Sequence, residues 1–228
     1  MKFSVSLFLV ATSAALAAAP TDTLYKQGRP VGIWQSSAKA YADETIVWFH
    51  GGMTSGNCEK GLVAGNDLAQ MLPRYTIVSP SACKQNHWVE PGTIQAVDQG
   101  LDDLESRVKK PISEISLVGI SDGSLGVIAY SLWGKRKVKT RILMSSFGAS
   151  LGPAAQVAQH PPMKNGRWRF IQGGSDRLYP SEKTIPWIQE FCNNVGTACD
   201  IKFDPQGEHD WSYWQNKHQD WILENFSK

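Results

Sequence analysis

Short apolar runs that alternate with amphipathic segments constrain the fold of this chain more than any other feature of its sequence. Six mostly apolar runs have the length and composition of strands that are buried on both faces of a parallel sheet. They cover residues 45–49, 75–78, 115–118, 141–144, 168–172 and 201–203. Segments with helical periodicity lie between or after them, at residues 62–72, 94–108, 125–133, 185–191 and 213–226. This order predicts an α/β fold with a mostly parallel central sheet and helices on both faces.

The first 19 residues have the features of a secretory signal peptide. Lys2 precedes an apolar run over residues 3–10, and small-residue cleavage signals follow at residues 15–17 and 17–19. A retained N-terminal helix is the alternative, which the position and the cleavage pattern disfavour. We expect a secreted or periplasmic protein in which residues 20–228 form a single domain. Residues 149–165 are its one long connection, either a small lid or a surface excursion.

The charge of the chain gives little support to a nucleic-acid partner. The formal net charge is +2 at pH 7, and the densest basic run covers residues 135–139 together with Arg141. This run lies where a helix ends and a strand begins, which indicates a solvated turn near a helix C-terminus. No later stretch approaches the ~20 apolar residues that a membrane span requires. We expect a soluble protein with no membrane span, and the sequence leaves its oligomeric state open.

The four cysteines indicate disulfides rather than a metal site. Their number is even in a chain that has an export signal, and their spacing does not resemble a zinc site. Cys192 and Cys199 flank a turn-rich linker, which favours a local bridge. Cys58 then pairs with Cys83 and ties together the loops that follow two successive strands. Three pairings are open from the sequence, and this is the one that we favour.

A G-x-S-x-G pentad, Gly119 to Gly123, lies between a predicted strand and a predicted helix. That is the context of a nucleophilic serine, in which a strained turn presents the hydroxyl and glycines let the strand and helix backbones approach. The pentad alone is a weak signal, and its alternative is an ordinary glycine-rich turn. With this context, Ser121 is the candidate nucleophile.

An acid and a base follow Ser121 in the order that such an enzyme requires. Asp176 comes directly after the predicted strand at residues 168–172, and His209 comes after the one at residues 201–203. His209 is favoured over the other four histidines. His50 is interpreted as structural or as part of the oxyanion loop, His87 and His160 lie in loops without a preceding strand, and His218 lies within a helix. Asp176 has the alternative role of starting a turn. Asp204 is the substitute acid, and Asp210 is less well placed.

Donors for an oxyanion are predicted next to the nucleophile and after the first buried strand. The backbone N–H of Asp122 and an N–H from the loop that contains Gly52 and Met53 are the candidates. A negative side chain at position 122 beside the nucleophile has no explanation from the sequence. Aromatic residues close to the predicted rim are candidates for substrate contact, with a role in the core as the alternative. They are Trp88, Tyr179, Trp211 and Trp214.

Four segments resemble the α/β-hydrolase superfamily, and the similarity extends over most of the mature chain. They are residues 45–53, 118–126, 173–176 and 207–211. Residues 207–214, in one-letter code GEHDWSYW, resemble the G-x-H-[DS]-W-x-Y-W segment of the esterase family that includes enterochelin esterases, feruloyl esterases, S-formylglutathione hydrolases and mycolyltransferases. The resemblance implies that His209 is the catalytic base and that Trp211 and Trp214 line or buttress the site. Residue 124 is serine where relatives more usually have a second glycine, so the substrate class stays open.

Taken together, the motifs and the resemblance predict a serine carboxylic-ester hydrolase. Ser121 would form an acyl-enzyme that water hydrolyses, and no metal or organic cofactor is implied. The aromatic residues favour an apolar or aromatic acyl group or a sugar ring, in a small-molecule or polysaccharide-linked ester. Two alternatives remain, namely acyl transfer to an alcohol by the same triad and a non-catalytic binding protein on a hydrolase scaffold.

Overall fold

The computed structural model describes residues 19–35, 44–52, 57–83 and 88–226. The predicted signal peptide therefore lies outside the described residues except for Ala19. Within the described ranges, eight strands form one sheet in the order β1-β2-β4-β3-β5-β6-β7-β8. The strands are β1 (Asp22–Lys26), β2 (Arg29–Trp34), β3 (Thr45–Phe49), β4 (Thr76–Pro80), β5 (Glu114–Ile120), β6 (Lys137–Met144), β7 (Arg167–Gly173) and β8 (Cys199–Asp204). The helices are α1 (Lys60–Met71), α2 (Pro91–Val108), α3 (Asp122–Trp133), α4 (Ala154–Gln159), α5 (Ser181–Val195) and α6 (Trp211–Glu224).

Strands β3 to β8 are all parallel to one another. They coincide with the six apolar runs, so the predicted fold class is confirmed. Along β3, Val47 and Phe49 face one side of the sheet, and Ile46 and Trp48 face the other. This alternation follows from the two-residue repeat of a strand.

Helices cover both faces of the sheet, as predicted. Apolar residues of α2, α3, α4 and α5 share one core cluster with the first set of strand side chains. Apolar residues of α1 and α6 share a second cluster with the other set. The two clusters explain why the strand segments contain so few polar residues.

An antiparallel hairpin that the sequence analysis did not predict precedes the parallel strands. β1 pairs with β2, and β2 pairs with β4, in antiparallel register. Gln27 and Gly28 form its turn, and their φ values of 52° and 71° are typical of a tight hairpin turn. In β1 only Leu24 is buried, so this edge strand has almost no apolar pattern from which to predict it.

Both disulfides have the pairing that the sequence favours, Cys58 with Cys83 and Cys192 with Cys199. The first joins the segment before α1 to the loop after β4. The second closes the connection between α5 and β8. Both bridges therefore restrain loops that connect core elements.

The prediction of a solvated turn at the basic run is wrong for Arg141. This residue lies inside β6, where its side chain is buried and its guanidinium stacks on Trp168 at 4.4 Å from the ring centroid. It donates hydrogen bonds to the hydroxyl of Ser131 and to the carbonyl of Asn165. Burial lowers the pKa of Arg141 to about 9. A charged residue in this strand is tolerated because donors and an aromatic face satisfy it.

Residues 149–165 pack against the core instead of forming a lid. α4 lies in this segment, and its Ala154, Val157 and Ala158 are buried in the same cluster as α5. Trp187 of α5 also donates a hydrogen bond to the carbonyl of Gly152. In the described part of the chain, no helix is long and apolar enough to cross a membrane.

Candidate functional site

Loops that follow four parallel strands meet at one edge of the sheet. Gly51 and Gly52 follow β3, Ser121 follows β5, Asp176 follows β7 and His209 follows β8. The carboxyl ends of parallel strands lie at the same edge, so residues far apart in sequence converge there. The topology thus places all the predicted site loops on one rim.

Ser121 occupies a strained turn between β5 and α3. Its φ of 57° and ψ of −125° lie outside the conformations that residues with a side chain prefer. Glycine is required on both sides, because a Cβ on Gly119 would overlap the backbone of Gly123, and a Cβ on Gly123 would overlap the carbonyl of Phe49. The pentad therefore forms the tight strand-turn-helix connection that the sequence predicts.

Ser124, where relatives more usually have glycine, is accommodated inside the turn. Its side chain is fully buried, and its hydroxyl lies 3.1 Å from the carbonyl oxygen of Gly119 and 3.0 Å from that of Met144. The Met144 carbonyl also accepts the N–H of Ser121 at 2.9 Å. Ser124 thus links the turn to β6, which gives this departure a structural role.

The structure brings Ser121, His209 and Asp176 into one hydrogen-bonded chain. Nε2 of His209 lies 2.7 Å from Oγ of Ser121. Nδ1 of His209 lies 2.9 and 2.8 Å from the two carboxylate oxygens of Asp176. With the proton on Nδ1, the imidazole donates to Asp176 and accepts from the serine hydroxyl. This arrangement can move a proton away from the hydroxyl.

Asp176 is buried, yet its surroundings favour the charged carboxylate. Burial by itself raises the pKa of Asp176, but hydrogen bonds from His209, from the backbone N–H of Tyr179 and from the hydroxyl of Ser145 outweigh it and hold the pKa below its usual value. The backbone N–H of Leu178 also donates to this carboxylate, at 3.0 Å. Asp176 is therefore held as an anion in a fixed orientation.

Ser145 is a member of this network that the sequence analysis missed. It follows β6 directly, is fully buried and has a φ of 48°. Its hydroxyl donates to Asp176 and accepts the indole N–H of Trp214 at 3.3 Å. A serine at the end of a parallel strand was the one signal available. Trp214 thereby buttresses the acid through Ser145 and does not itself line the site.

Two segments that carry predicted oxyanion donors adjoin Ser121, namely the start of α3 and the loop after β3. Gly51 packs closely on the turn, since a Cβ built on it would lie 3.2 Å from Cβ of Ser121. Gly52 follows with a φ of 89°, a backbone conformation that favours glycine. Asp122 is the first residue of α3, and the N–H groups of a first helical turn have no acceptor within the helix. Met53 lies outside the described residues.

His50 fixes the loop that contains Gly51 and Gly52. Its Nδ1 donates to the carbonyl of Gly51 at 2.8 Å, and its Nε2 accepts the N–H of Ala82 at 3.1 Å. Burial lowers the pKa of His50 to about 4, with a further contribution from the charge of Lys60 and against the hydrogen bond to Gly51. The imidazole is therefore neutral at pH 7 and serves as a bridge between the loops after β3 and β4.

A cavity of about 670 Å³ opens over Ser121 and His209. Of the four predicted aromatic residues, Tyr179 and Trp211 line it. The hydroxyl of Tyr179 is hydrogen-bonded to the side chain of Ser121, and its ring meets His209 edge to face at 4.9 Å. Burial raises the pKa of Tyr179, as do the nearby charges of Asp122 and Asp176. The phenol is therefore neutral and lies beside the serine.

Trp88 is not in the cavity wall, which corrects its prediction as a substrate contact. Its side chain is fully buried, and its indole N–H donates to the carbonyl of His50 at 3.0 Å. Its ring packs edge to face on Phe49. Trp88 and Trp214 thus support the site from the core, because Trp88 contacts the carbonyl of His50 and Trp214 contacts the hydroxyl of Ser145.

Asp204, the substitute acid, belongs to a separate cluster. It lies 2.8 Å from Nε2 of His218 and accepts the hydroxyl of Tyr213 at 2.8 Å. Asp210, the weaker alternative, contacts the hydroxyl of Ser212. Of these carboxylates, Asp176 is the one that reaches His209. In the described ranges, no group of three or more His, Cys, Asp or Glu side chains is arranged to hold a metal ion.

Comparisons with known proteins rest on structure alone. No family model matches the chain, and neither does any curated protein. An alpha-beta serine hydrolase homologue from Coxiella burnetii has a TM-score of 0.63 at 16% identity, over 92% of this chain and 99% of that one. A ferulic acid esterase has a TM-score of 0.64 at 18% identity, over 89% and 93% of the two chains. Poly(aspartic acid) hydrolase-1 from Sphingomonas sp. KT-1 reaches 0.65 at 11% identity, over 90% and 99%. The chain therefore has the α/β-hydrolase fold.

Proposed function

We propose that this protein is a serine carboxylic-ester hydrolase that works through an acyl-enzyme. The observation that carries the proposal is the hydrogen-bonded chain from Ser121 through His209 to Asp176, with 2.7 Å between the serine oxygen and the imidazole nitrogen. Oriented donors, a strained serine and a cavity above them support it. The structures with this fold include a ferulic acid esterase and other esterases.

In the proposed mechanism, Oγ of Ser121 attacks the ester carbonyl while Nε2 of His209 takes its proton. The developing imidazolium is stabilised by the Asp176 carboxylate. The imidazolium then protonates the leaving alcohol, and the acyl group stays on Ser121. Water, deprotonated by His209, hydrolyses the acyl-enzyme and releases the acid. No step needs a metal or an organic cofactor.

Backbone N–H groups of Asp122 and of the loop that contains Gly52 and Met53 would hold the oxyanion of each tetrahedral intermediate. Donors of this kind lower the barrier by on the order of 3 kcal/mol each. α3 directs its N-terminus at the same place, which favours negative charge. Tyr179 and Trp211 would contact the acyl or alcohol part of a small-molecule or polysaccharide-linked ester.

The proposed setting is secreted or periplasmic, with residues 20–228 as one folded domain. The signal-peptide features of residues 1–19 support it. The two disulfides also support it, because such bonds persist in oxidising compartments.

Covalent labelling with a fluorophosphonate tests the nucleophile directly. Wild-type protein should be labelled at Ser121, and Ser121→Ala should lose both the label and ester hydrolysis while unfolding at nearly the same temperature. Ser124→Ala is the matched control, since its hydroxyl is buried in the same turn. Folded wild-type protein that takes up no label would refute the enzyme and favour a binding protein. Product analysis with and without an alcohol acceptor separates hydrolysis from acyl transfer.

A further inference from the structure

A cationic side chain lies beside the candidate oxyanion loop and has no role in the proposed mechanism. Lys60 is the first residue of α1 and lines the cavity together with Ser121. Its Nζ occupies the space in which a side chain at Gly52 would begin. Gly51, the preceding residue, packs on the turn of Ser121. The ammonium therefore lies within roughly 12 Å of Cβ of Ser121, given these contacts and the 3.8 Å spacing of successive Cα atoms.

No carboxylate in residues 19–35, 44–52, 57–83 or 88–226 forms an ion pair with Lys60. The charge of Lys60 acts on its surroundings all the same, because it contributes to the lowered pKa of His50. A cation in a concave site without an internal counter-charge is positioned to bind an anionic group of a ligand.

The two aspartates that line the cavity are engaged by other groups. Asp67 is seven residues further along α1, which places it about 10 Å from Lys60 along the helix axis. It accepts the indole N–H of Trp211 at 3.2 Å. Asp210 precedes α6, and its carboxylate contacts the hydroxyl of Ser212. Of the charged side chains that line the cavity, Lys60 is thus the one at the oxyanion loop.

We propose that Lys60 is a specificity-determining residue and that the preferred substrates are esters that carry a carboxylate on the acyl or the alcohol part. The ammonium would bind this carboxylate while Ser121 attacks the ester carbonyl. Lys60 has no part in the bond-breaking steps. The inference rests on the proposed function, since it specifies the substrate class of the same site.

Two pairs of isosteric esters test the inference and separate the two parts of the substrate. The acyl pair is the mono-4-nitrophenyl ester of glutaric acid and the 4-nitrophenyl ester of glutaramic acid, with spontaneous hydrolysis subtracted. The alcohol pair is 4-(acetoxymethyl)benzoate and 4-(acetoxymethyl)benzamide. In each pair a carboxylate is exchanged for a neutral amide, so the ratio of the two kcat/KM values isolates the effect of charge.

Wild-type protein should prefer the charged ester in at least one pair. Lys60→Met should lower kcat/KM for that ester roughly 10- to 100-fold, as expected for a lost hydrogen bond to a charged group, and should leave the neutral ester within about threefold. Lys60→Arg should restore the preference. Lys217→Met is the matched control, because Lys217 is an exposed lysine of α6 outside the cavity wall.

The results that would contradict the role of Lys60 can be distinguished from those that would contradict the proposed esterase. Equal charged-to-neutral ratios in wild type and Lys60→Met, with good turnover, would refute the inference and leave the esterase intact. An equal loss on charged and neutral esters would also refute it, because it would assign Lys60 to the oxyanion or to folding. A wild-type protein that hydrolyses none of the four esters and takes up no fluorophosphonate would refute the proposed function and this inference together.

Discussion

Ser145 and Ser146 offer a test of the network behind Asp176, because two adjacent buried serines differ in what their hydroxyls contact. The hydroxyl of Ser145 joins Trp214 to Asp176. The hydroxyl of Ser146 is buried without a hydrogen-bond partner among the described residues. Alanine at either position removes one oxygen from the same stretch of backbone. Comparison of the two alanine variants therefore isolates the contribution of this hydrogen-bond network to the free energy of unfolding.

We expect Ser145→Ala to lower the free energy of unfolding by about 2 kcal/mol at pH 7. The substitution leaves the indole N–H of Trp214 buried without an acceptor, which costs roughly 1–3 kcal/mol, and removes a donor from a charged carboxylate. For a chain of this length the midpoint of thermal unfolding should fall by about 4–8 °C. Ser146→Ala should stay within about 0.5 kcal/mol of wild type, because it removes an unsatisfied polar group.

The pH dependence of this difference has a definite sign. The pKa of Asp176 is held below the usual 3.8, so its contribution to stability is present above that value and is lost as the pH falls through the folded-state pKa. Ser145→Ala raises the folded-state pKa of Asp176, and its deficit relative to wild type should shrink below about pH 4. Urea unfolding at pH 7 and pH 3 measures both effects. Equal stabilities of the two alanine variants at pH 7 would refute the network.

Three further predictions concern the loop, the turn and the cavity. His50 has a pKa of about 4 when folded, against 6.5 for an ordinary histidine, so its contribution to stability should fall by roughly 2.5 kcal/mol from pH 6.5 to pH 4. His50→Gln should weaken the pH dependence of stability by about that amount in urea unfolding, and an unchanged pH dependence would contradict the neutral bridge. Gly123→Ala should destabilise the fold by more than about 3 kcal/mol, whereas Gly92→Ala, with open space around its Cβ position, should change the thermal midpoint little. Tyr179→Phe should lower kcat roughly tenfold while the thermal midpoint is kept, since it removes a hydroxyl that is hydrogen-bonded to Ser121. A kcat equal to that of wild type would refute a role for this hydroxyl in the reaction.

The fold class was predictable because burial on both faces leaves a direct trace in the sequence. Strands β3 to β5 contain few polar residues, β6 to β8 each contain a shorter, mostly apolar run, and the amphipathic helices between the strands repeat at three and four residues. β1 has no such pattern, since it lies at the edge of the sheet with one buried side chain. β2 was missed although residues 30–34 are mostly apolar and buried, because a proline and a glycine interrupt the run. Arg141 is a charged residue in a buried strand, which a periodicity of apolar residues does not predict. A cation–π contact and a buried hydrogen-bond acceptor stabilise it there.

The candidate site was predictable as far as it depends on chain order and local geometry. The pentad around Ser121, the positions of Asp176 and His209 after strands, and the glycine at position 52 are local features with a known physical purpose. Trp88 was assigned wrongly as a substrate contact, and Ser145 was missed. The roles of both residues depend on which side chains they contact in the folded protein. Tryptophan and serine are equally common in cores, rims and networks, and composition does not separate these settings.

The sequence by itself determined the parallel sheet, the strained turn at Ser121 and the set of chemical groups that follow the strands, since each depends on periodicity, glycine sterics or order along the chain. Only the tertiary structure decided which groups act together. Packing placed Asp176 rather than Asp204 against His209, buried Trp88 and Trp214 beneath the loops, and set Lys60 beside Gly52. Contacts between side chains far apart in sequence arise when helices pack on the sheet, and no local pattern records them.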